Sequence, residues 1–171
     1  MALDAIGRGR GSLEGMSKLS HFDEAGAARM VDVSGKAATR REAEASVFVA
    51  MSDAALAALP QNPKGDPLEV ARIAGIQAAK RTAELIPMCH PVPLSFVDMR
   101  AEIVAGGIAI RAVAATTAVT GVEMEAMTAA AVAALTVYDM CKAVDKGIVI
   151  RELVLERKTG GKSREYTRHK K

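Results

Sequence analysis

Tryptophan is absent from this chain of 171 residues, and aromatic side chains make up only 3% of it. Phe22, Phe48, Phe96, Tyr138 and Tyr166 are too few to build a base-stacking surface, which argues against an RNA-binding module and against nucleic acid as a partner. Cysteine is nearly absent too. Cys89 and Cys141 make no disulfide framework, and neither has a second cysteine at zinc-type spacing. That usage fits a reduced, cytoplasmic protein. The histidines are His21, His90 and His169, none in metal-ligand spacing, so no metal site is read. Apolar runs are broken by charge well before the roughly 20 residues a membrane helix needs, so no membrane partner is expected.

What is present is an Ala-, Val-, Leu-, Ile- and Met-rich chain, 50% hydrophobic and 25% charged, the balance of an ordinary folded protein. Small side chains let helices lie close but bury little area each, so a partner subunit is expected to complete the core. The formal charge of +3 weakly favours anionic ligands. Basic residues thicken at Arg164, Arg168, Lys170 and Lys171, as in a solvated tail.

Residues 1–15, MALDAIGRGRGSLEG, hold four glycines and no sustained periodicity. They are read as a disordered leader or a segment added in cloning, with a natural start at Met16. A single domain is expected over residues 16–158, and a flexible basic tail with a glycine–lysine loop over 159–171. Residues 42–51 partly alternate and read as a strand. The segment DAALAALP is a short helical turn, and QNPKGDP is a loop. Asp66 caps the next helix, with Pro67 at its first position, and the helix runs to about Leu85. Three prolines in IPMCHPVP forbid its continuation. Residues 94–104 and 108–118 read as a hairpin turning at Ala105, Gly106 and Gly107. Thr120 and Glu123 read as a capping box for a long helix over 121–144, and residues 148–157 as a last strand. Strand, helix, strand, strand, helix, strand is the ferredoxin-like α+β arrangement, βαββαβ, with helices on one face of an antiparallel sheet. The other face needs a cover, and a second copy of the chain is the natural one.

Several residues stand out chemically. Met88, Cys89 and His90 lie among Pro87, Pro91 and Pro93, a stiff loop suited to fixing a ligand-binding ring; a surface histidine and a small buried thiol are the plainer reading. Glu123, Met124 and Glu125 open the long helix, where carboxylates are expected on dipole grounds. Asp139 and Lys142 share a helix face late in the same helix. They are an ordinary ion pair, or an acid that orients a proton-transferring lysine. A covered lysine can have a lowered pKa, though a neighbouring Asp opposes that. Lys64 and Lys162 sit in glycine-containing loops, where a solvated lysine and a phosphate cradle are both open readings. Fourteen residues separate Glu125 from Asp139, roughly 21 Å along a helix. Within one chain they cannot share a small ligand atom; a second, antiparallel copy of the helix would allow it.

These segments carry a family resemblance. From Met16 the chain opens MSKLSHFDEAGAARMVDVSGKAATRREA; KGD follows at 64–66, ARIAGIQAAKRT at 71–82, LIP and CHP within 85–91, TGVEMEA at 120–126, LT and YDMCKA within 135–143, and GGKS at 160–163. In this order the words resemble the cyclic pyranopterin monophosphate synthase family, the molybdenum-cofactor biosynthesis accessory protein C family. The resemblance implies a ferredoxin-like subunit, a homo-hexamer built as a trimer of dimers, and active sites between subunits. It implies 3',8-cyclo-7,8-dihydro-GTP as substrate, supplied by a radical S-adenosylmethionine enzyme and converted to cyclic pyranopterin monophosphate with release of pyrophosphate. Asp139, Lys142 and Lys64 match the family's catalytic residues. Met88, Cys89, His90, Glu123, Met124, Glu125 and Lys162 match its substrate-binding segments. No cofactor is read as required; a divalent metal could accompany the triphosphate. Arg29, Arg40 and Arg81 are further candidate phosphate contacts. The chain departs from the family before VEME: Ala118 and Val119 stand where the family usually has glycine and lysine. That departure is the one support for a rival reading, a non-catalytic assembly protein on the same scaffold.

Overall fold

Asp66 starts the first long helix as its side chain dictates. Its Oδ1 accepts from the backbone N–H of Leu68 at 2.9 Å and of Glu69 at 3.4 Å, with Pro67 in the first helical position. The computed structural model describes residues 26–162 and 165–169. The expected leader, the opening words up to residue 25, Ser163, Arg164, Lys170 and Lys171 lie outside the described residues. All elements below belong to one compact unit that begins at Asp32.

Strand β1 spans Thr39–Ala50, helix α1 Asp53–Ala58, α2 Pro67–Lys80 and α3 Thr82–Leu85. Strands β2 (Phe96–Val104) and β3 (Gly107–Ala118) form the expected hairpin, turning at Ala105 and Gly106, where Gly106 takes φ +76°. Helix α4 (Glu123–Cys141), β4 (Val149–Thr159) and the short β5 (Tyr166–Thr167) follow. The sheet order is β2-β3-β1-β4-β5, with every pairing antiparallel. The first four strands and the helices on one face make the ferredoxin-like arrangement expected from the sequence. The edge strand β5 has only two residues, too few to leave a readable pattern.

Alternation along β1 sorts its side chains. Ala43, Ala45, Val47 and Val49 are buried beneath the helices, beside Ala114, Ala112, Ile110 and Ile108 of β3. Glu42, Glu44, Ser46 and Phe48 take the other face. There Arg111 donates to Glu44 at 2.6 Å, Arg157 donates to Glu44 at 3.0 Å and also to Glu42, and the Arg151 guanidinium lies 4.9 Å over the Phe48 ring. Burial raises the Glu44 carboxyl, but Arg157 and Arg111 outweigh it and hold the group below its ordinary range. Among the described residues, no helix is long and apolar enough to cross a membrane.

Two details differ from expectation. The helix expected to reach Leu85 breaks at Arg81. The Thr82 hydroxyl there donates to the Ala79 carbonyl oxygen at 3.0 Å, and the chain restarts as α3. The capping box of Thr120 and Glu123 does not form. Val122 is the N-cap of α4 without a side-chain cap bond, and Glu123 instead accepts from Lys158 Nζ at 2.8 Å. A charge-assisted bond to another strand replaces the weaker return to its own helix end.

Small residues set the helix spacing. Ala126, Ala129, Ala130, Ala133 and Ala134 of α4 are all buried, and α2 presents Gly75 to them. A Cβ on Gly75 would fall 2.9 Å from the Ala129 carbonyl oxygen, a backbone atom that cannot swing away. Gly75→Ala is therefore expected to destabilise the fold by roughly 1–3 kcal/mol through overpacking, although alanine is the better helix former. Urea unfolding checks the sign; a stabilised variant would show that the helices are free to part.

Candidate active site at the two ends of helix α4

Asp139 and Lys142 occupy the C-terminal end of α4, one turn apart. Asp139 Oδ1 lies 2.6 Å from Lys142 Nζ. Lys64, distant in sequence, reaches the other oxygen: its Nζ is 3.3 Å from Asp139 Oδ2 and 3.2 Å from the Asp139 carbonyl oxygen. The loop before α2 delivers it. Asn62 Oδ1 accepts from the Lys64 N–H at 3.0 Å, Gly65 turns with φ +99°, and Asn62 Nδ2 donates to the Met140 carbonyl oxygen at 2.9 Å. Asn62 thus fastens the lysine loop to the end of α4. Behind Lys64 lies a cavity of about 220 Å³ walled by Leu59, Met140 and the buried Cys141.

The three charged side chains stay about half exposed, at 51% for Lys64, 57% for Asp139 and 52% for Lys142. Hydrogen bonds from Lys142 and then Lys64 hold the Asp139 carboxyl below its usual value. The bond to Asp139 raises Lys142 above the ordinary lysine value. The lowered lysine pKa considered from sequence is not what this arrangement produces. Lys142 keeps its proton, as a proton donor or a charge-stabilising cation does. An exposed Asp between two ammonium groups adds little stability but gathers positive charge at one point.

The opposite end of α4 gathers a second group. Glu123 turns toward Lys158 of β4, while Glu125 is 4% exposed and borders a cavity of about 320 Å³ walled by Lys80, Arg81, Thr82, Pro91 and Pro93. Burial pushes the Glu125 carboxyl up, and the neighbouring Glu123 charge adds to the shift. Cys89 comes close enough to feel Glu125; burial first and that carboxylate second raise its thiol. Met88, Cys89 and His90 are half-buried in the proline loop, and Met124 is exposed. The far end of that loop is pinned to β3, where Thr116 Oγ1 donates to the Pro93 carbonyl oxygen at 2.7 Å.

Lys162 is exposed, next to the turn that follows β4. Gly160 and Gly161 take φ +87° and +82° and seat that turn on the start of β1. A Cβ on Gly161 would lie 2.9 Å from Arg41 Cζ. Arg41 in turn donates to the carbonyl oxygens of Ala118 at 3.0 Å and Val119 at 3.2 Å. Of the three arginines singled out earlier, Arg81 borders the Glu125 cavity, Arg40 is exposed at the start of β1, and Arg29 lies before Asp32. Asn62, Arg41 and Lys158 went unremarked in the sequence. Only Asn62 left a local signal there, as an Asn two residues before Lys64 in a turn sequence. Among the described residues, no group of three His, Cys, Asp or Glu side chains could hold a metal ion.

The family model that matches the chain is that of the MoaC family, over residues 30–161. The chain belongs to the MoaC family. It is 56% identical over 153 residues to a cyclic pyranopterin monophosphate synthase of Streptomyces coelicolor, covering 88% of this chain and 90% of that protein. It is 51% identical over 153 residues to the synthase of Peptoclostridium acidaminophilum, covering 88% of this chain and 98% of that one. For the synthase of Parvibaculum lavamentivorans the identity is 52%, with 87% and 96% covered.

Glu125 gives a pH test. Its folded-state pKa is raised, so the folded protein holds this proton more tightly than the unfolded chain does. Stability from this group is present below the ordinary glutamate pKa and is lost as pH rises through the raised value. Glu125→Gln is expected to be more stable than wild type at neutral pH, with the difference vanishing below about pH 4. Thermal melts across pH 3–8 read this; a pH-independent difference would contradict it.

Proposed function

We propose that this MoaC-family chain converts 3',8-cyclo-7,8-dihydro-GTP to cyclic pyranopterin monophosphate with release of pyrophosphate, in molybdenum-cofactor biosynthesis. The observation that carries the reading is the Lys64–Asp139–Lys142 cluster, in which one carboxylate splits its two oxygens between two ammonium groups at an open surface. The long matches to named synthases supply the substrate class.

The residue types suit that chemistry. A triphosphate that cyclises and expels pyrophosphate develops negative charge on the departing oxygens, and Lys64, Lys142 and Lys162 supply positive charge to meet it. Lys142 serves as the proton donor and Asp139 as its orienting partner. Glu123 and Glu125 face the purine-derived rings, whose N–H groups need acceptors, and Met88, Cys89, Met124 and His90 wall the same region. The radical S-adenosylmethionine enzyme that makes the cyclised GTP is the upstream partner. Two free cysteines suit a cytoplasmic setting.

The working unit is a site shared between two copies of the chain. The two ends of α4 stand roughly 21 Å apart, too far for one small ligand to be gripped at both its reacting atoms within one chain. Ile73, Leu135 and Val144 are 54%, 58% and 58% exposed, apolar surface suited to cover by another copy. Dimers of this kind, assembled by threes into a hexamer, are the proposed state.

Pyrophosphate and pterin release from the cyclised GTP substrate tests the activity. Lys142→Ala is expected to lower kcat by about 100-fold or more with the fold intact, since the side chain is exposed. Full turnover would remove its role, and wild-type protein that leaves the substrate unchanged would favour the assembly-protein reading. Val119→Lys, which restores the cation the family usually carries, is expected to lower KM. The shared site has its own test. Co-expressed Lys142→Ala and Glu125→Ala chains should recover about a quarter of wild-type activity, from mixed dimers with one intact site. No recovery would place all the machinery in one chain.

A further inference from the structure

Strand β4 does not keep a simple alternation against β1. Glu44 pairs with Arg157 and the next residue, Ala45, pairs with Leu155, so Glu156 is an extra residue, a β-bulge. The bulge sorts the charges around it. Arg157 stays opposite Glu44 on the uncovered face and serves the carboxylates there. Lys158 falls opposite Ala43, which is 1% exposed, and so points to the face that α4 covers. Without the extra residue the two cations would change faces. The bulge is itself held: Ser46 Oγ donates to Glu156 Oε1 at 2.5 Å, and the Arg168 N–H, just past β5, donates to the Glu156 carbonyl oxygen at 2.7 Å.

Lys158 then meets Glu123 at the first turn of α4, Nζ to Oε1 at 2.8 Å, with both side chains 30% exposed. Two residues beyond Lys158, Gly160 and Gly161 form the turn that carries Lys162. The bond therefore links the start of α4, which bears Glu123 and Glu125, to the strand that leads into Lys162. It also takes Glu123 away from the capping role that would otherwise turn it back on its own helix.

We infer that Lys158 is a positioning residue: aimed by the bulge at Glu156, it fixes the start of α4 and the Glu123 carboxylate against the end of β4, and so sets the spacing between the acidic groups and Lys162. This rests on the proposed synthase reading for its kinetic consequence, and on geometry alone for its structural one. Lys158 acts through its bond to Glu123, so on this reading its loss weakens substrate binding more than it slows chemistry.

In the full-length protein, Lys158→Met is expected to raise KM for the cyclised GTP substrate about tenfold, with kcat changed less than about threefold. Lys158→Arg, which keeps a charged donor, should return KM to within about threefold of wild type. A purely structural ion pair would lower the melting temperature and leave the KM of the folded protein unchanged, and that result overturns the proposal. Amide hydrogen exchange without substrate reads the link independently of turnover. The Ala126 N–H closes the first turn of α4 on the Val122 carbonyl oxygen at 3.2 Å. Its exchange should quicken about tenfold in Lys158→Met and equally in Glu123→Ala, with no further gain in the double variant. Should Lys158→Met fail to fold, Glu123→Ala carries this reading alone. Unaltered exchange overturns the positioning role even in an active enzyme, whereas quickened exchange in a protein that does not turn over the substrate defeats the synthase reading and leaves Lys158 its role.

Discussion

A helix of 19 residues cannot fold back to bring its own ends together, and α4 carries candidate site residues at both. Its surroundings hold it in place. Buried alanines let α2 and the sheet close on it along its length, and Gly75 lets the α2 backbone come nearer still. Such an element transmits position faithfully and bends reluctantly. On the proposed reading each chain holds two halves of the site at fixed separation, and the proposed pairing of chains unites them with the core unchanged.

The two ends differ in character as well as place. At the C-terminal end, Lys64 and Lys142 leave a net positive charge around Asp139, and all three stay half exposed. Exposed ammonium groups beside water suit a highly charged phosphate chain, which arrives hydrated and leaves as pyrophosphate. At the N-terminal end, Glu125 is buried beside a stiff proline loop, and Glu123 is held by Lys158. Fixed acceptors in a walled space suit a ring system read by its edges. Burying Glu125 works against stability at neutral pH, the usual mark of a group retained for something other than folding.

How much of this could be read from the sequence depended on whether the deciding contacts are local. The alternation of β1, the cap at Asp66, the proline stop after Leu85 and the shared face of Asp139 and Lys142 all follow from neighbours within a few residues, and all were legible. The capping box was legible and wrong. Its local pattern is sound, but Lys158, 35 positions away, competes for the same carboxylate. Lys64 was noticed as a loop lysine, yet nothing near it in the chain announces Asp139; the Asn62 bond to Met140 makes that connection in space. Arg41 and Lys158 went unseen for a related reason. The part each plays depends on strand register, and in β4 the extra residue at Glu156 decides the face that Lys158 takes.

That bulge bears on the departure at Val119. The loop where the family usually keeps a lysine is held here by Arg41, through the carbonyl oxygens of Ala118 and Val119. These bonds engage the backbone, so they are indifferent to the side chain at 119. The same guanidinium lies against the Gly161 turn, and Lys158 ties the approach to that turn to α4. The frame that presents Lys162 and the glutamates is therefore built without any cation at 119. A lost lysine there removes one charge from the ligand's surroundings and leaves the geometry standing. On the proposed reading binding is the step that weakens, because the residues assigned to positioning and proton transfer are all still present.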